Sequence, residues 1–226
     1  MTSKEREPLR QVSDSMRAHL KKAVDRYVGQ GEGHPFFQKR GISEAARLMF
    51  QLGVVTTPLP GHEPYQGMIA IPYLLNDGLP VQVRFRCAGE HTGSCKDGGH
   101  PKYKTMSGEQ SRVFNVGALM GTASDAVHVT EGEADAIILT QLGYAAVGFP
   151  GAQQFRPHHA KLLKGYQNIY IWGDPDDAGR EFNRIVRSML PEAKVVPISG
   201  YDVNDLYLQD PDGACSVFDS LIGEAA

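Results

Sequence analysis

The sequence predicts a mixed fold, α+β in its first half and α/β in its second, with a parallel sheet flanked by helices. Two observations predict this class. From residue 126 onward, short apolar strands alternate with amphipathic helices, a pattern typical of parallel sheets with right-handed crossovers. Between residues 68 and 104, strand patterns follow one another around an NDG hairpin signal. We therefore expect two domains, at residues 1–125 and 126–226.

The first domain is predicted to begin with two helices. Residues 12–29 carry apolar side chains at three-to-four spacing, which predicts one amphipathic helix. Ser43 is a suitable N-cap, and Gly53 a suitable stop, for a second helix. The residues expected on the buried faces are Met16, Leu20, Ala23, Val24, Tyr27, Ala46, Met49 and Phe50.

The strands that follow carry a pattern of cations. In VQVRFR, Val83 and Phe85 alternate with Arg84 and Arg86, so the two arginines share one face of a strand. In KYKTM, Lys102 and Lys104 share a face in the same way. If these strands pair in one sheet, four cations line a single surface, so this domain is predicted to be a small basic subdomain.

The second half reads as four strands, each followed by helical sequence. Ligands of such sheets bind at the carboxyl ends of the strands, which lie along one edge. The strands are predicted in AVHVT, AAVGF, NIYIWG and AKVVPI, and the helices in ADAIILTQLG, PHHAKLLKGY, AGREFNRIVRSML and the tail.

Composition and charge restrict the class of protein. The chain has 226 residues and 41% hydrophobic content, and no apolar run approaches the roughly 20 residues that cross a membrane. The amino-terminal residues lack the apolar stretch of a signal peptide, and three cysteines do not form a disulfide framework, so we expect a cytoplasmic protein without membrane contact. Residues 1–130 carry a formal charge of +4 and residues 131–226 one of −7, which is compatible with a polyanion on the first part and cations on the second.

Acidic residues follow three of the four predicted strands. Each group has an alternative role in capping the next helix, and Asp177 is the best candidate for that role. Their shared position at one sheet edge favours a divalent cation such as Mg²⁺, because clustered carboxylates repel one another and Mg²⁺ prefers oxygen ligands. The residues are Glu131 after the first strand, Asp174, Asp176 and Asp177 after the third, and Asp202, Asn204 and Asp205 after the fourth.

A second possible metal site lies in the glycine-rich segment 87–101. Cys87, His91, Cys95 and His100 are spaced C-x3-H-x3-C-x4-H, and two thiolates with two imidazoles complete a tetrahedral zinc shell. The alternative is a polar loop that contains these residues by coincidence. An irregular segment of this length favours the metal, since something must order it.

Several of these segments together resemble one family. TEGEADAI, followed about 40 positions later by WGDPDDAGREF, resembles a Toprim domain. DPDDAGR is similar to the form found in bacterial DnaG-type primases, and YDVNDLY resembles their third acidic element. FFQKRGISEAARLMFQLG and PKYKTMSG resemble their helical and basic segments, in the same order. The resemblance implies a Toprim-type sheet in a DNA primase core, with small phage primases as relatives.

The resemblance also implies a role for each site residue. Glu131, Asp174 and Asp176 would be catalytic acids that hold Mg²⁺ or Mn²⁺. Asp135 would belong to an outer acidic set with Asp202 and either Asn204 or Asp205. Five cations would hold nucleotide or template, namely Arg84, Arg86, Lys102, Lys104 and Arg180. Arg180 is explained equally well as a helix-surface residue.

The implied reaction is synthesis of RNA primers from ribonucleoside triphosphates on single-stranded DNA. The separate zinc ribbon and the helicase-binding part of DnaG-type primases do not appear in the sequence. We therefore expect a minimal core or one half of a split primase, completed by a replicative helicase or a zinc-binding subunit, in a bacterium or phage-infected cell. Two alternatives stay open, a Toprim nuclease and a non-catalytic nucleic-acid-binding subunit.

Overall fold

A computed structural model describes residues 11–89, 93, 95–120 and 125–225, and it contains one sheet in each half of the chain. The front sheet is antiparallel, in the order β1-β2-β3-β4, as the hairpin signal predicted. The elements of this half are the helices α1 (Asp14–Gln30), α2 (Pro35–Lys39) and α3 (Glu44–Met49) and the strands β1 (Gly53–Val54), β2 (Ile69–Leu74), β3 (Pro80–Arg86) and β4 (Tyr103–Lys104).

Helix α1 covers one face of the front sheet, as its apolar spacing predicted. The hydroxyl of Ser13 accepts a hydrogen bond from the amide of Met16 and caps the helix. Leu20 and Tyr27 are buried against Val83 and Phe85 of β3. The side chains from the sheet and the helix thereby form one hydrophobic cluster, which excludes water from this face.

The expected roles of Gly53 and Met49 are wrong. Helix α3 begins after the Ser43 cap, as predicted, but it ends at Met49, a residue that is 65% exposed. Gly53 lies in β1 instead, where a Cβ atom would come within 2.2 Å of the Tyr27 carbonyl carbon. The glycine is therefore required by the close approach of α1 to β1, which the local sequence could not reveal.

The second half forms the predicted parallel sheet, in the order β6-β5-β7-β8. None of the helices among the described residues is both long and apolar enough to cross a membrane. The elements are β5 (Ala126–Thr130), α4 (Glu133–Gln141), β6 (Ala146–Gly148), α5 (Pro157–Leu163), β7 (Asn168–Trp172), α6 (Asp177–Met189), β8 (Lys194–Val195), α7 (Val203–Gln209) and α8 (Ala214–Glu224).

Helices cover both faces of the parallel sheet. Leu163 of α5 and Phe182 of α6 pack in the cluster on one face. The cluster on the other face contains Ile138 of α4 and Phe218 of α8, and it continues to Tyr73 of the front sheet. The two sheets are thus joined by one hydrophobic cluster. The division at residue 125 stays a prediction.

The predicted surface of four cations is wrong. Arg86 pairs with Tyr103 and Phe85 pairs with Lys104 across β3 and β4. Directly opposed residues of an antiparallel pair share a face, so Lys104 lies on the face opposite to Arg86. The ammonium of Lys104 donates a hydrogen bond to the carbonyl of Pro64 at 3.0 Å. Register, which short strands leave open in the sequence, decides this arrangement.

Candidate functional site

Glu131 and Asp174 lie just beyond the carboxyl ends of neighbouring strands, at the same edge of the parallel sheet. Thr130 of β5 is in register with Trp172 of β7, so both chains turn away from the sheet at the same level. This confirms that the carboxyl ends of the strands bring these acidic segments together. The side chain of Asp174 is half-buried.

The charge around Asp174 is predominantly negative. Burial, and then the carboxylates of Asp202 and Asp176, raise the pKa of Asp174 to about 6, while the ammonium of Lys102 acts in the opposite direction. Asp202 follows β8 and Asp176 follows β7, so acids from two strand ends act on one carboxyl group. A bound cation would stabilise the ionised form of such a group, because the cation offsets the repulsion from the neighbouring carboxylates.

The capping role expected of Asp177 belongs to Asp176. Oδ1 of Asp176 accepts a hydrogen bond of 2.9 Å from the amide of Gly179, which makes Asp176 the N-cap of α6. Asp177 is exposed in the first turn of the helix and pairs with Arg180. A capping carboxylate still has its second oxygen, so capping does not prevent Asp176 from binding a cation.

Gly179 allows α6 to approach Asp174 closely. A Cβ atom at residue 179 would lie 2.0 Å from the backbone oxygen of Asp174, a distance that no real side chain tolerates. The glycine of DPDDAGR is therefore a packing requirement of the turn that presents the aspartates. Arg180, the next residue, is exposed and donates to the Pro175 carbonyl at 3.1 Å.

A hydrogen-bond network fixes α7 beside the acidic edge. Asp202 caps this helix by accepting from the amide of Asp205 at 2.7 Å. The buried Asn204 donates its backbone amide to Oδ1 of Asp135 at 3.1 Å. Burial, together with Asp202 and Asp174, raises the pKa of Asp135 well above its usual range. The structure thus brings together Asp135, Asp202 and Asn204, which the family resemblance had assigned to one outer acidic set.

Arg40 completes this network and was missed in the sequence. Its guanidinium donates to Oδ1 of Asn204 at 3.1 Å, and the Asn204 side-chain amide donates to the Arg40 carbonyl at 2.6 Å. Burial and the nearby Arg86 lower the pKa of Arg40. The two partners are 164 positions apart, so the only sequence signal was an arginine at the end of FFQKR.

Arg40, Arg86 and Lys102 form the basic wall of an open cleft of about 860 Å³. Arg86 is buried and its guanidinium lies over the rings of Phe36 and Tyr103. Lys102 is exposed at the rim, where partial desolvation and the Arg86 and Arg40 charges lower its pKa, while Asp174 and Asp202 act in the opposite direction. Asn204, which contacts Arg40, and Asp205 also line the cleft.

Arg84, by contrast, is directed into the protein. It forms a buried ion pair with Glu133 at the start of α4, and the hydroxyl of Tyr73 donates to the same carboxylate at 2.7 Å. The Arg84 guanidinium also lies over the ring of Tyr103. These contacts fix the front sheet to α4. Neither Glu133 nor Tyr73 was among the residues to which the sequence assigned a role.

The two predicted metal sites differ in compactness. The ligand atoms of Cys87, Cys95 and His100 lie within 4.8 Å of one another. No other group of three or more Cys, His, Asp or Glu residues in the described part of the chain is as compact. No three of the described acids at the sheet edge meet this distance. Mg²⁺ commonly uses only one or two carboxylates, with waters and substrate phosphates, so the wider acidic site suits it. His91 lies outside the described residues.

The parallel sheet with acids at its carboxyl edge is that of a Toprim-like domain, and the family model described as Toprim-like matches residues 128–207. The Gene 57 protein of Mycobacterium phage D29 is 39% identical over 147 residues, which cover 63% of this chain and 91% of that protein. The chain belongs to the same family as this phage protein and contains a Toprim domain.

The fold is that of DnaG primase catalytic cores. The RNA polymerase domain of Mycobacterium tuberculosis DnaG, solved in complex with double-stranded DNA, superposes with a TM-score of 0.73 at 17% identity, covering 96% of this chain and 82% of that one. A DNA primase domain from Pseudomonas aeruginosa gives 0.72 at 17% identity, covering 92% and 78%. The E. coli primase catalytic core gives 0.66 at 18% identity, covering 95% and 79%.

Proposed function

We propose that this chain is the catalytic core of a DNA primase, a nucleotidyltransferase that joins ribonucleotides on single-stranded DNA during DNA replication. The observation that carries the proposal is the environment of Asp174. Its carboxyl group interacts with acids from two strand ends and with Lys102 from the segment before β4. A cation-binding edge that faces a phosphate-binding wall is the arrangement that nucleotidyl transfer requires.

The donor atoms of the acidic edge fit Mg²⁺ or Mn²⁺. Asp174 and Asp202 would hold the ions, with Asp205 and the second oxygen of Asp176 nearby and Glu131 at the end of the adjacent strand. Bound divalent cations stabilise the attacking and leaving oxygens of phosphoryl transfer. The raised pKa of Asp174 supports this assignment, because burial and then the carboxylates of Asp202 and Asp176 disfavour its charged form, and a bound cation would offset both effects.

The remaining residues would position nucleic acid and nucleotide. Lys102 and Arg86 would attract phosphate groups into the cleft without regard to base sequence. Arg40 and Asn204 would keep α7, and therefore Asp202, at the sheet edge. Arg84 would act indirectly, by fixing the front sheet to α4, and Lys104 and Arg180 would contribute less because both lie away from the basic wall.

The proposal is tested by incubating the protein with single-stranded DNA, labelled ribonucleoside triphosphates and Mg²⁺ or Mn²⁺. We expect labelled oligoribonucleotides, and we expect none from the Asp174→Ala variant. Shortened DNA in place of RNA would identify a Toprim nuclease. DNA binding with neither product, in the presence of either metal, would contradict catalysis and leave the role of a binding subunit.

We further propose that the reaction takes place in the cytoplasm of a bacterium or phage-infected cell, with a replicative helicase or a separate zinc-binding primase subunit as partner. If the chain is one half of a split primase, adding such a partner should raise primer yield. An unchanged yield over a range of partner concentrations would favour a core that acts alone.

A further inference from the structure

Two thiols and one imidazole converge outside the acidic site. The sulfur atoms of Cys87 and Cys95 and a ring nitrogen of His100 lie mutually within 4.8 Å, and all three residues are half-buried. No disulfide joins these two cysteines. Ligand atoms of a tetrahedral zinc site lie about 3.5 Å apart, given bond lengths of about 2.0–2.3 Å. The separations within the group therefore need to shorten by at most about 1.3 Å to bind the ion.

The backbone around the group supports a thiolate site. The amide of Gly89 donates a hydrogen bond to the sulfur of Cys87 at 3.4 Å, the kind of outer contact that supports a metal-bound ligand. The amide of His100 donates to the carbonyl of Cys95 at 3.0 Å. Gly99, with φ of 68°, provides the left-handed turn that returns the chain toward Cys95.

The group is connected directly to the basic wall of the cleft. Cys87 follows the last residue of β3, and its amide donates to the carbonyl of Lys102 at 2.9 Å, which extends the pairing of β3 with β4. Cys87, Cys95, His100 and Lys102 all line the same cleft. An interaction that fixes the segment between β3 and β4 therefore also fixes the position of Lys102.

We propose that Cys87, Cys95 and His100 bind one Zn²⁺ ion, and that this ion fixes Lys102 at the rim of the cleft near the acidic edge. A fourth ligand, such as a water molecule, would complete a tetrahedral shell. The metal site depends only on the geometry of this segment. The role assigned to Lys102 rests on the proposed function.

Metal content tests the first half of this proposal. The full chain, purified under reducing conditions and analysed by mass spectrometry, should contain about one zinc per chain. Cys95→Ser should lose the zinc, and Cys215→Ser, a matched change of an exposed cysteine in α8, should keep it. His100→Cys should also keep it, because three thiolates still bind zinc, and this variant separates ligand loss from misfolding.

Two results would overturn the zinc site. One is a wild-type protein that stays without zinc after incubation with ZnCl₂ and gel filtration. The other is a thiol titration of the unfolded protein without reductant that finds one reactive thiol, which would assign Cys87 and Cys95 to a disulfide instead of a metal site.

Binding of labelled single-stranded DNA over a range of salt concentrations tests the second half. Each phosphate contact on a single strand contributes about 0.7 to the slope of log K against log salt. Cys95→Ser and Lys102→Ala should each lower the slope by about this amount, and the double variant should lower it no further, because both changes remove the same contact. A Cys95→Ser variant that binds like the wild type would overturn the role of the ion. If the wild type does not bind DNA, the proposed function fails, while the zinc site is still decided by metal content.

Discussion

Glu133 and Asp174 are two carboxylates of the same domain in opposite situations. Glu133 is 1% exposed, and it receives a hydrogen bond from Tyr73 and an ion pair from Arg84. Asp174 is half-buried, and the charges that act on it are the carboxylates of Asp202, Asp176 and Asp205 and, in the opposite direction, the ammonium of Lys102. A buried acid with its own cation joins parts of a fold, whereas an acid with an excess of like charge around it is suited to bind an ion from solution.

The largest expected effect comes from removing the acids that have an excess of negative charge. The double variant Asp174→Ala and Asp176→Ala should lower primer synthesis by about 10³-fold or more, since several kcal/mol of charge stabilisation depends on the bound cations. Circular dichroism should show an intact fold, and Asp177→Asn should stay within about twofold of the wild type. Full activity in the double variant would remove the acidic edge from the mechanism.

The internally paired acid should affect stability instead. Arg84→Met leaves Glu133 buried without a cation, and the free energy of unfolding should fall by about 3–5 kcal/mol in urea titrations. Tyr73→Phe removes one hydrogen bond to the same carboxylate and should cost about 1 kcal/mol. If Arg84→Met lowered DNA affinity at unchanged stability, Arg84 would belong with the cations of the cleft, and the contrast between the two acids would weaken.

Asp174 should also give a pH dependence of stability, of the opposite sign to that of a salt-bridged acid. Its pKa is about 6 in the folded chain and about 3.8 when unfolded, so the native state binds more protons between these values. In the presence of a chelator, stability should therefore fall by about 1–3 kcal/mol as the pH rises from 4 to 7. Asp174→Asn should remove this contribution, and Mg²⁺ should oppose it. Superimposable pH profiles for the two proteins would contradict the raised pKa.

The smallest effect distinguishes the two lysines of the KYK segment. Lys102→Ala should weaken binding of single-stranded DNA by about threefold to tenfold and lower its salt dependence, because Lys102 lies at the rim of the cleft. Lys104→Ala should change binding by less than twofold, since its ammonium donates to the Pro64 carbonyl on the other face. Fluorescence anisotropy measures both, and equal losses would restore the continuous cationic surface that the sequence predicted.

Features that depend on local sequence were predicted well. The order of strands and helices and the parallel sheet follow from hydrophobic periodicity and turn residues, which are properties of short segments. The arrival of Glu131, Asp174 and Asp202 at one edge follows from the rule that parallel strands end on the same side. The helix stop at Gly53 was wrong because the residue that requires the glycine, Tyr27, lies on another element.

The sequence did not determine which charged residues contact one another. EGEAD contains three acids within five positions, and no local pattern separates Glu133, which is internally paired, from Asp135, which contacts Asn204 across 69 positions. The same holds for Lys102 and Lys104: Lys102 precedes β4 and lines the cleft, whereas Lys104 lies within β4, opposite Phe85 and away from Arg86.

By itself, the sequence determined which residues stand at the ends of strands, because backbone periodicity is local. Only the tertiary structure decided which charges neutralise one another, because the contacts that decide it join distant segments. Arg84 meets Glu133 across 49 positions and Arg40 meets Asn204 across 164. Electrostatic energy depends on distance in space and on burial, and neither quantity is contained in the spacing of residues along the chain.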